Sequence, residues 1–223
     1  MYQTTTFIFS LLRASFYNGS TIDCFRITDD FFIKSTNLRL SRVRDMVTKT
    51  HLFGGSRSGQ SENAVRHFSS RLNEFSVLPK DSVGYLYFQF VANNRLDPQK
   101  LPLVPLKCNG HPVTLFANRI RDTHDLWHVI TGYSTDIFGE LCLQAFYLGQ
   151  RVAPTTPVIY GLCYLLRHEP LANFVKSLHS ISEAFFAGRA AKKMANIDWE
   201  SMAHVSVAEI RSKYGICTVT QTT

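Results

Sequence analysis

The sequence predicts a mainly α fold, a single-domain helical bundle in which an αα-hairpin carries a polar motif. Three observations lead there. From Val113 almost to the end, apolar residues recur at three- and four-residue spacing. Stretches that alternate apolar and polar residues, as strands do, are sparse. Hydrophobic residues make up 45% of the 223, enough for a sizeable core and too many for a chain disordered throughout.

The N-terminal third is the least regular. Phe25–Ile33 alternates loosely and suits a short strand or an irregular arm, and Phe53 to Ser61 (FGGSRSGQS) has a linker's composition. Residues 1–60 are therefore expected to be an arm and linker of no assigned role, with the compact helical domain at 61–223. Ser61 can cap a helix along which Ala64, Val65, Phe68, Leu72 and Phe75 share a face. Pro79 ends that segment. Asp81 or Ser82 can cap the next helix, although the aromatics of YLYFQF would also suit a strand. Residues 96–105 form a proline-rich loop, and Asn109-Gly110 marks a turn. Helices are then expected at 113–131, 135–149, 155–176, 178–190 and 206–214.

Composition excludes several classes. The charge of +7 is spread along the chain, so no block reads as a nucleic-acid tail and no nucleic acid is expected as a partner. The excess suits an anionic membrane surface or a phosphate ligand, or is an ordinary basic surface. Cys24, Cys108, Cys142, Cys163 and Cys217 are odd in number and form no CxxC pair. That argues against a disulfide framework or a cysteine zinc site, and for buried free thiols in a reducing compartment. No apolar stretch is long enough to span a membrane. The run Phe7 to Leu12 is short, with no basic residue before it, so a secretory signal is not expected. Asp23, Asp29 and Asp30 fit poorly in a mitochondrial presequence. GxSxG, P-loop and GxGxxG patterns are absent, and His111, His168 and His179 have no partner spacing.

The chemistry concentrates in His124 to Glu140, HDLWHVITGYSTDIFGE. On a helix, His124 and His128 share a face with Cβ atoms about 5–6 Å apart, close enough for two imidazoles to share a divalent ion. Asp125 lies at the edge of that face, as a ligand, a base or an acceptor that orients an imidazole. Glu140 would lie about 18 Å along a continuous helix. Gly132 can end the first helix and Ser134 or Thr135 can cap a second, so a hairpin can bring Glu140 back. An HxxxH pair alone is often structural, and the added carboxylates turn the reading toward metal. The expected ligand set is His124, Asp125, His128 and Glu140, for zinc, iron(II), manganese or magnesium. Arg119 and Arg121 can hold an anionic head group or form local ion pairs. Trp127, Tyr133, Phe138 and Phe146 can line a groove for a long apolar ligand or pack as core.

These residues carry a resemblance. HDxxH followed by eleven residues and Glu resembles the signature of the Coq four family of ubiquinone biosynthesis proteins, and stands here without departure at His124, Asp125, His128 and Glu140. The segment LPKDSVGYLYFQFVANNRLDP is similar to the family's LPxxSLGxxYxxFxxxNxxxP, through Pro79, Ser82, Gly84, Tyr87, Phe88 or Phe90, Asn94 and Pro98. Arg119 and Arg121 stand where the family has two arginines, and Gly132 and Gly139 where it has glycines. The ending WESMAHVSVAEIRSKYGI resembles WExxL…LRxxxGI more loosely. The resemblance spans about 70–216, and the leading segment outside it suggests a bacterial relative.

The resemblance implies a mainly α, metal-binding, peripheral membrane protein that takes a prenylated quinone precursor or other isoprenoid lipid in an apolar groove. Its place would be the cytoplasmic side of a membrane, or the matrix side of the inner membrane in a mitochondrion. Other quinone-biosynthesis proteins and a second copy of the chain would be its partners. The implied chemistry is oxidative decarboxylation, a ring carboxyl replaced by hydroxyl, with Asp125 as catalytic residue. Three rival readings are a non-catalytic prenyl-lipid scaffold, an HD-type phosphohydrolase built on His124-Asp125, and a helical interaction module without a ligand.

Overall fold

The computed structural model describes residues 68–98, 118–152, 155–195 and 197–217. In chain order, a 3-10 turn at Ser69–Arg71 leads into α1 (Leu72–Phe75). There follow α2 (Val83–Asn93), α3 (His124–Thr131), α4 (Ile137–Gln150), α5 (Thr156–His168), α6 (Leu171–Ala190), α7 (Trp199–Met202) and α8 (Val207–Tyr214). Residues 118–122 are also helical and enter α3 through Thr123. The mainly α expectation holds. Among the described residues no strand forms, and Ser82 and Ser206 make an isolated bridge. The possible strand at Phe25–Ile33 and the linker at 53–61 lie outside the described residues, as do Ser61, Cys24, Cys108 and His111.

The chain divides into two compact units. The described part of one consists of 68–98, 118–132, 191–195 and 197–217. Its core is aromatic: Phe68 lies 4.7 Å from Phe75 and 5.1 Å from Tyr87 between ring centroids. Helix α2 settles the strand-or-helix question for YLYFQF. Ser82 accepts a hydrogen bond from Tyr85 N at 3.2 Å. Val83 N and Gly84 N donate to Val205 O and Ala203 O at 2.8 Å each. The amides that a helix start leaves without partners are thus taken up by the loop before α8, and Val207 N donates back to Asp81 O at 3.0 Å. A second long-range tie is Asp122. It accepts from Phe68 N at 2.6 Å and Ser69 Oγ at 2.5 Å, so it caps the 3-10 turn from 53 residues away.

The other unit takes in Tyr133–Ala190, where α6 packs along α4. The crossing is set by glycine. A Cβ on Gly188 would stand 2.2 Å from Phe146 O, and one on Gly149 2.1 Å from Phe185 O, so the backbones themselves are in contact. Gln150 Nε2, fully buried, donates to Gly188 O at 2.6 Å. Two expectations need correction here. The break expected at residue 177 falls instead between α5 and α6. Pro170 excludes the helical conformation for Glu169, which is extended at φ −109°, ψ 146°. The cap of α4 is Asp136, which accepts from Gly139 N at 2.6 Å, rather than Ser134 or Thr135. Ser134 instead lies against the helix start, where its carbonyl would be 2.2 Å from a Cβ on Gly139.

Candidate metal centre

Helix α3 displays the histidine pair as its spacing requires. The Nε2 atoms of His124 and His128 face each other at 3.4 Å, with the rings perpendicular and 5.0 Å apart. Two nitrogens bound at about 2.0–2.1 Å in tetrahedral geometry stand ~3.3 Å apart. The pair is thus at a distance that suits two ligands of one ion, and also a hydrogen bond between neutral rings. His128 is buried at 2% exposure, and Phe90 of α2 stacks on its ring at 5.6 Å with 16° between planes. The helix ends as its sequence suggests: Gly132, at φ 84°, donates its N–H to His128 O at 2.7 Å. Arg211 of α8 closes the same end, donating to Ile130 O at 2.8 Å and Val129 O at 3.0 Å.

Glu140 lies in the first turn of α4, half-buried. His124, His128 and Glu140 each offer a ligand atom, all within 4.8 Å of one another, and the group could hold a metal ion. Two imidazoles and a carboxylate are a donor set that suits zinc and iron(II) best and also admits manganese or magnesium. Asp125 does not join it. One residue along a helix is about 100° of turn, which carries Asp125 away from the histidine face into the interior, at 9% exposure. There it neighbours Tyr87, whose hydroxyl is pushed above its ordinary range by burial, then by Asp125 and Asp122. Among the described residues the buried Tyr87 hydroxyl has no hydrogen-bond partner.

The other sequence candidates fall differently. Arg119 is 5% exposed and bonds both carboxylate oxygens of Glu200, Oε1 at 2.5 Å and Oε2 at 2.6 Å, with Asp122 at 3.8 Å. Its guanidinium is engaged in a buried ion pair and not directed at open space. Arg121 is half-buried. Trp127 is fully buried, its indole N–H donating to Thr123 Oγ1 at 3.1 Å, and Phe146 and Tyr133 are buried as well. These three rings are buried, whereas Phe138 is half-exposed. His168 and His179 are exposed, as their lack of spacing suggested. Cys142 is a buried free thiol, but Cys163 is half-buried and Cys217 exposed.

Spacing arguments missed Phe90, Glu200 and Arg211. Glu200 and Arg211 had a signal, since both stand at lettered positions of the family's C-terminal pattern, but nothing in the sequence says what they touch. For Phe90 the pattern left a choice with Phe88.

Comparison with known proteins follows the same lines. Residues 37–220 match the family model described as "Coenzyme Q (ubiquinone) biosynthesis protein Coq4", farther toward the N-terminus than the motif-bearing segments reach. The chain is 29% identical over 192 residues to the "Ubiquinone biosynthesis protein coq4, mitochondrial" of Talaromyces stipitatus, and 25% identical over 192 to its namesake in Talaromyces marneffei. Each alignment covers 86% of this chain and 60% of the relative, so the chain spans about three fifths of those relatives' length. A solved structure from Nostoc punctiforme PCC 73102 has the same fold, with a TM-score of 0.71 at 23% identity over 98% of this chain and 100% of that one. With the family match covering most of its length, the chain belongs to the coenzyme Q (ubiquinone) biosynthesis protein Coq4 family.

Proposed function

We propose that this protein works in ubiquinone synthesis, holding a divalent cation on His124, His128 and Glu140 and presenting it to the head group of a prenylated ring precursor. The observation that carries the reading is the convergence of those three ligand atoms in a chain of this family. Among the described residues three ligands converge, the number that catalytic metal sites draw from the protein. A bound cation supplies Lewis acidity to carboxylate and phenol oxygens of the ring. His124 and His128 would hold it through the Nε2 atoms that face each other. Asp125, inside the same helix, acts on the reaction through its neighbours and not as a ligand. With Arg119 engaged by Glu200, Arg121 is the arginine that meets the head group's charge.

The reaction in this reading is oxidative decarboxylation, the ring carboxyl leaving as carbon dioxide and a hydroxyl taking its place at the expense of an external oxidant. The prenyl tail needs an apolar surface, and the α5–α6 region has one. Leu171, Val175, Leu178 and Phe186 lie within about 80° of one face of α6 and are exposed, as are Ile159 and Leu166 on α5. Such a face suits peripheral attachment to a membrane, and no described helix is long and apolar enough to cross one.

The test is to incubate purified protein with a prenylated, carboxylated phenol under air and follow carbon dioxide and the new hydroxyl by mass spectrometry. One carbon dioxide per ring hydroxylated, lost in His128→Ala, is the expected result. Precursor bound but never converted would replace the enzyme with a lipid-binding scaffold. Neither binding nor conversion would end both readings.

A further inference from the structure

We infer that Phe90 is a positioning residue of the metal centre, its ring fixing the plane in which the His128 imidazole meets that of His124. The inference rests on the metal reading proposed above. A helix fixes where His128 starts but not how its ring is turned, because the last torsion of a histidine is broad. Contacts beyond the helix must set the plane, and Phe90 and His124 both lie against the ring. Phe90 lies parallel to His128, 16° between planes at 5.6 Å. His124 stands perpendicular to it at 5.0 Å. Between a flat face and a perpendicular edge, His128 points Nε2 at the Nε2 of His124, 3.4 Å away.

Phe90 is delivered by a well-anchored element. Its helix begins on the Ser82 cap and the Val205 and Ala203 carbonyls, and buries Tyr87 and Val91 beside it. The competing aromatics are otherwise engaged: Tyr85 and Phe88 lie against each other, 6.3 Å between centroids. A phenyl ring can neither ligate nor donate. It covers one imidazole face against water and leaves the nitrogen edge open, which is what a ligand histidine needs from an apolar neighbour.

The test uses the full chain and cobalt(II), whose visible absorption reports coordination geometry. Phe90→Leu keeps apolar bulk without a plane, and Phe90→Tyr keeps the plane. The expected result is about tenfold weaker cobalt(II) binding and an altered spectrum in Phe90→Leu, as for other lost outer-shell partners. Phe90→Tyr should keep the wild-type spectrum and affinity. Thermal unfolding of the metal-free proteins shows whether the leucine variant is folded, and Phe90→Met gives the same comparison if it is not. Wild-type affinity and spectrum in the leucine variant, or equal losses in leucine and tyrosine variants, would overturn the role of Phe90. Failure of the wild-type protein itself to take cobalt(II) would strike the metal reading instead, and this inference with it.

Discussion

At the residue scale, the buried pair of Arg119 and Glu200 shows how a chemically suggestive side chain can serve the fold. Both are about 6% exposed at the side chain, and two charge-assisted bonds join them across 81 residues. Removing one partner strands the other charge in the interior. Glu200→Ala should therefore cost about 3–5 kcal/mol, read as a lowered urea midpoint. Arg119→Met with Glu200→Leu should recover most of it, because replacing both charges by apolar groups is often neutral. An unchanged midpoint in Glu200→Ala would show that the pair is not the tie described. None of this was legible in the sequence, where Arg119 could be judged only by its neighbours. The histidines were legible, because four residues on a helix fix a face without outside information. For Asp125 spacing leaves ligand, base and orienting acceptor open, and the fold buries it near Tyr87.

At the element scale, local chemistry set most helix ends and backbone contact set the packing. Ser82 and Gly132 were readable as punctuation, and both serve as expected. The break at Glu169 was readable too, since Pro170 demands it. It went unseen because apolar residues continue through 171–178 at helical spacing and mask the interruption. Short α7 at Trp199–Met202 has too few residues for a periodicity to appear. The approach of α4 to α6 had no readable partner, since Gly149 and Gly188 matter only through what they touch. Gly188→Ala should push the two helices apart and cost about 1–3 kcal/mol, seen as a lower midpoint in thermal unfolding followed by circular dichroism. A midpoint equal to wild type would mean that the crossing has room to spare.

At the scale of the whole molecule, burial links folding to pH. Desolvation pushes the Cys142 thiol up to about 12 from an ordinary 9.0, and moves the Tyr87 and Tyr133 hydroxyls upward as well. All three are neutral when protonated, and the unfolded chain gives up these protons first. The stability these groups contribute is therefore present in full well below pH 9 and is lost as pH rises from about 9 toward 12. Urea midpoints measured across that range should decline, and Cys142→Ala should lessen the decline that begins near 9. At pH 8, iodoacetamide should label exposed Cys217 well before Cys142, as peptide mass spectrometry would show. A metal held by His124, His128 and Glu140 is open to direct measurement, by native mass spectrometry with elemental analysis of the purified protein beside His128→Ala and Glu140→Ala. One divalent metal per wild-type chain, lost from both folded variants, is the expected result. A wild-type chain without metal, or variants that keep it, would rule out the proposed centre.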